Sequence, residues 1–114
     1  MIKKKTHSIY IIELDKKILG NKRFQAANPK YNPEKPCVYI GMTSKTPEKR
    51  FEEHITGARN KRGPLFSRKA KKYGIRLKPR LYKSHNPMTQ EDAREMEVEK
   101  ARRLRNRGYG VWQN

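Results

Sequence analysis

Acidic residues are scarce in this chain: 11 Asp and Glu stand against 29 Lys and Arg over 114 residues, a formal net charge of +18. Cysteine occurs once, at Cys37, which excludes an internal disulfide and a cysteine-based zinc site. No apolar run approaches the ~20 residues that a membrane helix needs. The basic start, Met1-Ile2-Lys3-Lys4-Lys5-Thr6, lacks the apolar region of a secretory signal. An intracellular, cytoplasmic protein is expected, associated with the nucleoid if the source is prokaryotic. Apolar residues make up only 33%, so the chain is expected to form one domain over 1–114 with a small core.

The charge narrows the partner. A small body carrying +18 tolerates its own repulsion best beside a polyanion, and Lys and Arg that neutralise phosphates release condensed counterions. Anionic membrane is the competing polyanion, but there is no long basic amphipathic helix with a large aromatic face. Between His54 and Gln90 there is no carboxylate, while Lys and Arg recur from Arg59 to Lys83. Such a tract is either a solvated surface or a phosphate-tracking face, and the overall charge favours the second. Arg59, Arg68, Lys69, Lys71 and Lys72 are its candidate substrate contacts.

His7 to Leu14 is rich in β-branched and aromatic residues and reads as a mostly buried strand; Cys37 to Met42 reads as a second. Gly41 weakens that strand, which marks close approach of another backbone or of a ligand. The long connection 15–36, broken by Pro29, Pro33 and Pro36, is a candidate for shaping substrate preference. Thr46-Pro47-Glu48 opens a helix expected to run to Ala58, with Phe51, Ile55 and Ala58 entering the core. A shorter helix is expected over 65–73, a third strand at the sheet edge over 75–83, and a last helix from Thr89 to Gly108. The expected fold is α/β, or more narrowly α+β: a small, mainly antiparallel three-stranded sheet flanked by helices, in the order β-β-α-α-β-α.

On the last helix, Ala93, Met96, Ala101 and Leu104 form one stripe, and Glu97 lies in its middle. A carboxylate facing the core needs a partner. A basic residue or a hard cation such as Mg²⁺ would serve. Arg50 and His54, four apart, share a face of the first helix. They form either a solvated pair or a phosphate grip with a proton-transfer group beside it. Tyr10 and Tyr39 occupy the middles of adjacent strands, where packing is their ordinary role. In so basic a chain, nearby cations are expected to lower their phenol pKa. Cys37 reads as a small core residue, and His7 and His85 lack partners at ligand spacing. Trp112 either covers the core or stacks on a base.

Taken together, Ser8-Ile9-Tyr10, Tyr39-Ile40-Gly41, Arg50, His54 and Glu97 resemble the GIY-YIG nuclease domain family, from His7 to about Gly108. Ser8 replaces the first glycine, Met42 stands where some members carry lysine, and the link between the two motifs is longer than usual. An asparagine common after the family's last helix has only Asn106 or Asn114 as a counterpart. The resemblance implies a DNA endonuclease leaving 5′-phosphate and 3′-hydroxyl ends. Glu97 would hold one divalent metal, Mg²⁺ or Mn²⁺, Arg50 would orient the phosphate, and Tyr10 or His54 would act on the attacking water, with Tyr39 in the network. Double- and single-stranded DNA remain open as substrates, as do monomer and homodimer. The alternative function is a non-catalytic basic module that binds RNA or DNA.

Overall fold

The computed structural model describes residues 3–113. Strand β1 (Ser8–Leu14) carries Ile9, Tyr10, Ile11 and Ile12 in succession, all at most 1% exposed. A strand buried without alternation must be covered on both faces. β2 (Cys37–Thr43) is its equally buried antiparallel neighbour, with Tyr10 opposite Gly41 and Ile12 opposite Tyr39. Side chains on these strands alternate, so Tyr10, Tyr39 and Gly41 share one face while Ile9, Ile11, Val38 and Ile40 share the other.

The sheet has four strands, not three; it is mainly antiparallel, as expected, but one of its pairings is parallel. β5 (Gly74–Leu77) pairs antiparallel with β1 at one edge, and β6 (Gly110–Gln113) pairs parallel with β2 at the other. β5 is also shorter than the expected 75–83. Pro79 offers no backbone donor, and 3-10 turns follow at Pro79–Leu81 and Lys83–His85. The side chain of Asn86 then exchanges two hydrogen bonds, of 2.9 and 2.8 Å, with the backbone of Ile9 in place of a strand.

Helix α2 (Pro47–Thr56) begins as its sequence dictates. The Thr46 hydroxyl accepts from the Lys49 N–H at 3.1 Å, and Gly57, at φ 69°, ends the helix two residues before the expected Ala58. A second antiparallel pair, β3 (Arg59–Asn60) with β4 (Gly63–Pro64), forms a hairpin that sequence reasoning did not anticipate. The expected 65–73 helix starts late, because the Leu65 N–H closes the base of the hairpin on the Ala58 carbonyl. α3 runs only over Arg68–Tyr73, capped by Ser67. α4 (Gln90–Asn106) is capped by Thr89, as the sequence predicts, and Gly108 turns away at φ 90°.

The connection 15–36 is ordered. It holds a 3-10 turn at Lys16–Gly20 and helix α1 (Lys22–Ala27), whose Ile18 and Phe24 are fully buried in the core. Phe24 packs where a Cβ on Gly110 would otherwise sit, beside Cys37. Buried Asn28 then ties this insertion to β6. Its amide donates to the carbonyls of Phe24 and Val111, and its oxygen accepts from the Val111 N–H at 2.8 Å and from Arg105 at 3.2 Å. α1, α2 and α3 cover the Tyr10 face, and α4 packs across β1, β2 and β6 on the other. Among the described residues no helix is long and apolar enough to cross a membrane.

Candidate active site

Helix α2 packs Phe51 against the core as its apolar pattern predicts, but it turns Glu53 and His54 inward in place of Ile55. Ile55 is 38% exposed, whereas Glu53 and His54 are buried. The reason is that tertiary partners satisfy both polar side chains. His54 Nε2 lies 2.7 Å from Tyr10 Oη, and the Ser67 backbone N–H donates to His54 Nδ1 at 2.8 Å. An amide can only donate, so neutral His54 must carry its proton on Nε2 and give that hydrogen bond to Tyr10. Glu53 accepts from Lys45 Nζ at 2.5 Å and from Arg50 at 3.5 Å. Burial alone would raise its carboxyl pKa, but Lys45 and Arg50 overcome that and leave it below the usual range.

Tyr10, Tyr39 and His54 form a ring cluster, with centroids 6.1 Å apart for the two tyrosines and 5.3 Å apart for Tyr39 and His54. Gly41 makes room for it. A Cβ there would lie 2.4 Å from Tyr10 Oη, so the space read as an approach for a ligand is taken by the Tyr10 phenol. Tyr10 and Tyr39 hydrogen-bond to each other, and Tyr39 also bonds Ser67. The expected lowering of the phenol pKa values is not found. Burial raises both, and Arg50 offsets only part of that rise. In the free protein Tyr10 and Tyr39 are therefore neutral hydrogen-bonding groups at pH 7.

His54 is likewise held neutral, its pKa lowered to about 4 by burial first and by Arg50 second, against the opposing charge of Glu53. This has a consequence for stability. Above pH 6.5 both folded and unfolded forms are neutral and nothing is lost. As pH falls below 6.5 the unfolded chain takes up the proton first, and stability declines until the folded form protonates near pH 4. The full shift corresponds to about 3 kcal/mol. Urea unfolding at pH 7 and pH 4.5 should show this drop, and the drop should be smaller in His54→Gln; an equal drop in the variant would refute it.

Glu97 is carried by α4, away from this cluster. Burial raises its pKa, and a hydrogen bond from Gln113 works against that rise. Gln113 and Trp112 leave β6 on opposite faces, so Glu97 stands on the α4 side while Tyr10, Tyr39 and His54 occupy the other. Charge alone connects the two sets: at Tyr39, Arg50 favours the ionised phenol and Glu97 opposes it. The last residue of β6, Gln113, lies opposite Ile40, so among the described residues no strand extends along the outer edge of Gly41–Thr43. Among those residues there is also no group of three or more His, Cys, Asp or Glu placed to share a metal. The Gln113 amide oxygen accepts from Arg105 at 3.4 Å, which leaves the half-buried Glu97 carboxylate as the oxygen ligand for a hard cation that keeps most of its water, such as Mg²⁺.

Beside Arg50 lies a polar pocket of about 320 Å³ lined by His7, Thr43, Lys45, Glu53 and Leu65, among others. Arg50 is already occupied there, donating to the Leu65 carbonyl as well as to Glu53. The basic candidates are set further out. Arg59 is exposed on β3, and Arg68, Lys69, Lys71 and Lys72 lie along α3, with Lys69 Nζ 4.0 Å from the centre of the Trp112 ring. Sequence reasoning missed Ser67, Lys45, Glu53 and Gln113. Only Ser67 carried a local signal, as the cap of α3. Asn106 is exposed, and Asn114 lies outside the described residues. The amide that meets Glu97 is that of Gln113. Compared with protein-family models, curated proteins and solved structures, the chain matches none of them.

Proposed function

We propose that this protein is a metal-dependent endonuclease of the GIY-YIG type that hydrolyses DNA phosphodiester bonds to 5′-phosphate and 3′-hydroxyl ends. The observation that carries this reading is the buried Tyr10–His54 pair, backed by the Ser67 amide and flanked by Arg50, in a chain of charge +18. A salt-bridge network would account for Arg50 and Glu53. It gives no reason to bury two phenols and a neutral imidazole around one another.

In this reading Arg50 exchanges the Leu65 carbonyl for a phosphate oxygen, a stronger charge-assisted partner. His54, fixed as a donor through Nε2, holds Tyr10 in place, and Tyr10 and Tyr39 orient the attacking water. His54 has no free basic nitrogen while Ser67 stays bound, and Tyr10 and Tyr39 are neutral, so these groups position the water by hydrogen bonds and its proton leaves to bulk solvent. A divalent cation held by Glu97, with Gln113 beside it, would supply charge stabilisation for the leaving 3′-oxygen.

The test is plasmid nicking at low salt with Mg²⁺, Mn²⁺ or EDTA, comparing wild type with Arg50→Ala. Metal-dependent conversion of supercoiled to open-circular DNA is expected. Arg50→Ala should slow it about 10²-fold while leaving DNA affinity within a few-fold. Tight binding with no cleavage of supercoiled, single-stranded or branched DNA would favour the binding-module reading instead.

A further inference from the structure

The β3–β4 hairpin is a strand pair of the acid-free tract separate from the main sheet, and its sequence is Arg59-Asn60-Lys61-Arg62-Gly63-Pro64. Arg59, Asn60, Lys61 and Arg62 are all exposed, and none of its three cations is ion-paired among the described residues. The hairpin is nonetheless held in one shape. The Arg62 N–H donates to Asn60 Oδ1 at 2.8 Å, closing the tip, and the Leu65 N–H donates to the Ala58 carbonyl at 2.8 Å, closing the base. Gly63 adopts φ 123°, a conformation that other residues rarely take.

Its root is in the site. Leu65, just past β4, gives its carbonyl to Arg50, and Ser67 gives its amide to His54. A preformed apex with three unpaired cations in so basic a chain costs Coulomb repulsion that only a polyanion offsets. The hairpin has no aromatic residue, so it offers no stacking platform of the kind that single-strand binding uses. A fixed cluster of long cationic side chains suits the phosphates of a duplex backbone.

We propose that the hairpin Arg59–Pro64 is a phosphate-gripping arm that seats double-stranded DNA over the Arg50–His54 site, with Arg59, Lys61 and Arg62 on the duplex backbone. This rests on the nuclease reading for what happens at the site, but the binding itself is measured without catalysis.

The experiment is duplex binding in EDTA across a salt series, using a 20-base-pair probe and the matching single strand. The full chain is compared with Lys61→Ala/Arg62→Ala and with Lys4→Ala/Lys5→Ala, which removes the same charge elsewhere. Two lost phosphate contacts should lower the slope of log affinity against log salt by about 1.8. Duplex affinity at low salt should fall about 10-fold or more in the hairpin variant, and clearly less in the Lys4/Lys5 control. Equal losses in the two variants would overturn the proposal, because net charge alone would then account for them. An equal loss on single strand and duplex would overturn its choice of duplex. If wild type never cuts DNA but these differences hold, the nuclease reading fails and the arm stands.

Discussion

Glu97→Ala is expected to nick supercoiled DNA at least 10²–10³-fold more slowly than wild type, on the order of the loss when a single charge-stabilising group is removed from a reacting centre. The carboxylate is half-buried and raised in pKa, so it is held at an energetic cost that a bound cation would relieve. Glu97→Gln should fail nearly as badly, because an amide keeps the shape and the bond to Gln113 but loses the charge. Gln113→Ala should fall between, about 10- to 100-fold down, as expected for a residue that orients a ligand without being the charged one. Duplex affinity in EDTA should be unchanged or slightly higher in Glu97→Ala, since the substitution removes a negative charge. Full nicking activity in Glu97→Ala would remove the carboxylate from the mechanism.

Asn28→Ala carries the largest expected effect on stability, about 2–4 kcal/mol. The side chain makes four hydrogen bonds inside the protein, and its oxygen is the acceptor for the Val111 N–H. Val111 is fully buried, so its N–H depends on that acceptor. An unsatisfied buried donor costs about 1–3 kcal/mol, and the loss of the Asn28 amide also takes a donor from the Phe24 carbonyl, while the Val111 carbonyl keeps its bond from Arg105. A domain of this size has about 5–15 kcal/mol to lose, so a clear fall in urea midpoint is expected. Asn28→Asp should also destabilise, because its second oxygen would face those two carbonyls. An unchanged midpoint in Asn28→Ala would mean that the insertion is not a clamp on β6.

Local chemistry made part of this architecture readable. Thr46-Pro47 and Thr89 fix the starts of α2 and α4, and the β-branched run through β1 marks a strand buried on both faces. β6 was not readable, because Gly110-Val111-Trp112-Gln113 has too little pattern of its own. It is a strand because β2 offers it an edge. The inward face of α2 was hidden for a related reason. Phe51 packs against the core as its pattern predicts, but Ile55 is displaced outward by what Glu53 and His54 find across the structure, namely Lys45, Tyr10 and the Ser67 amide. The candidate site residues were nameable one by one from the motifs, whereas their electrostatics were not. Nothing in the spacing of Tyr10 and Tyr39 reveals that burial outweighs the nearby arginine.

The parallel pairing of β2 with β6 also bears on the time course of folding. It joins Cys37 to Gly110, 73 positions apart, whereas the Tyr10–His54 contact spans 44. Closing the longer loop costs more entropy and comes later. Until β6 docks, the outer edge of β2 is an unpaired apolar strand, a template for association with other chains. The α1 insertion, with Phe24 and Asn28 waiting at that edge, acts as a latch that shortens the exposure. Because Gln113 is carried on the late strand, the aromatic cluster and the basic surface are in place before the setting of Glu97 is complete. During refolding, DNA binding should therefore recover ahead of cleavage.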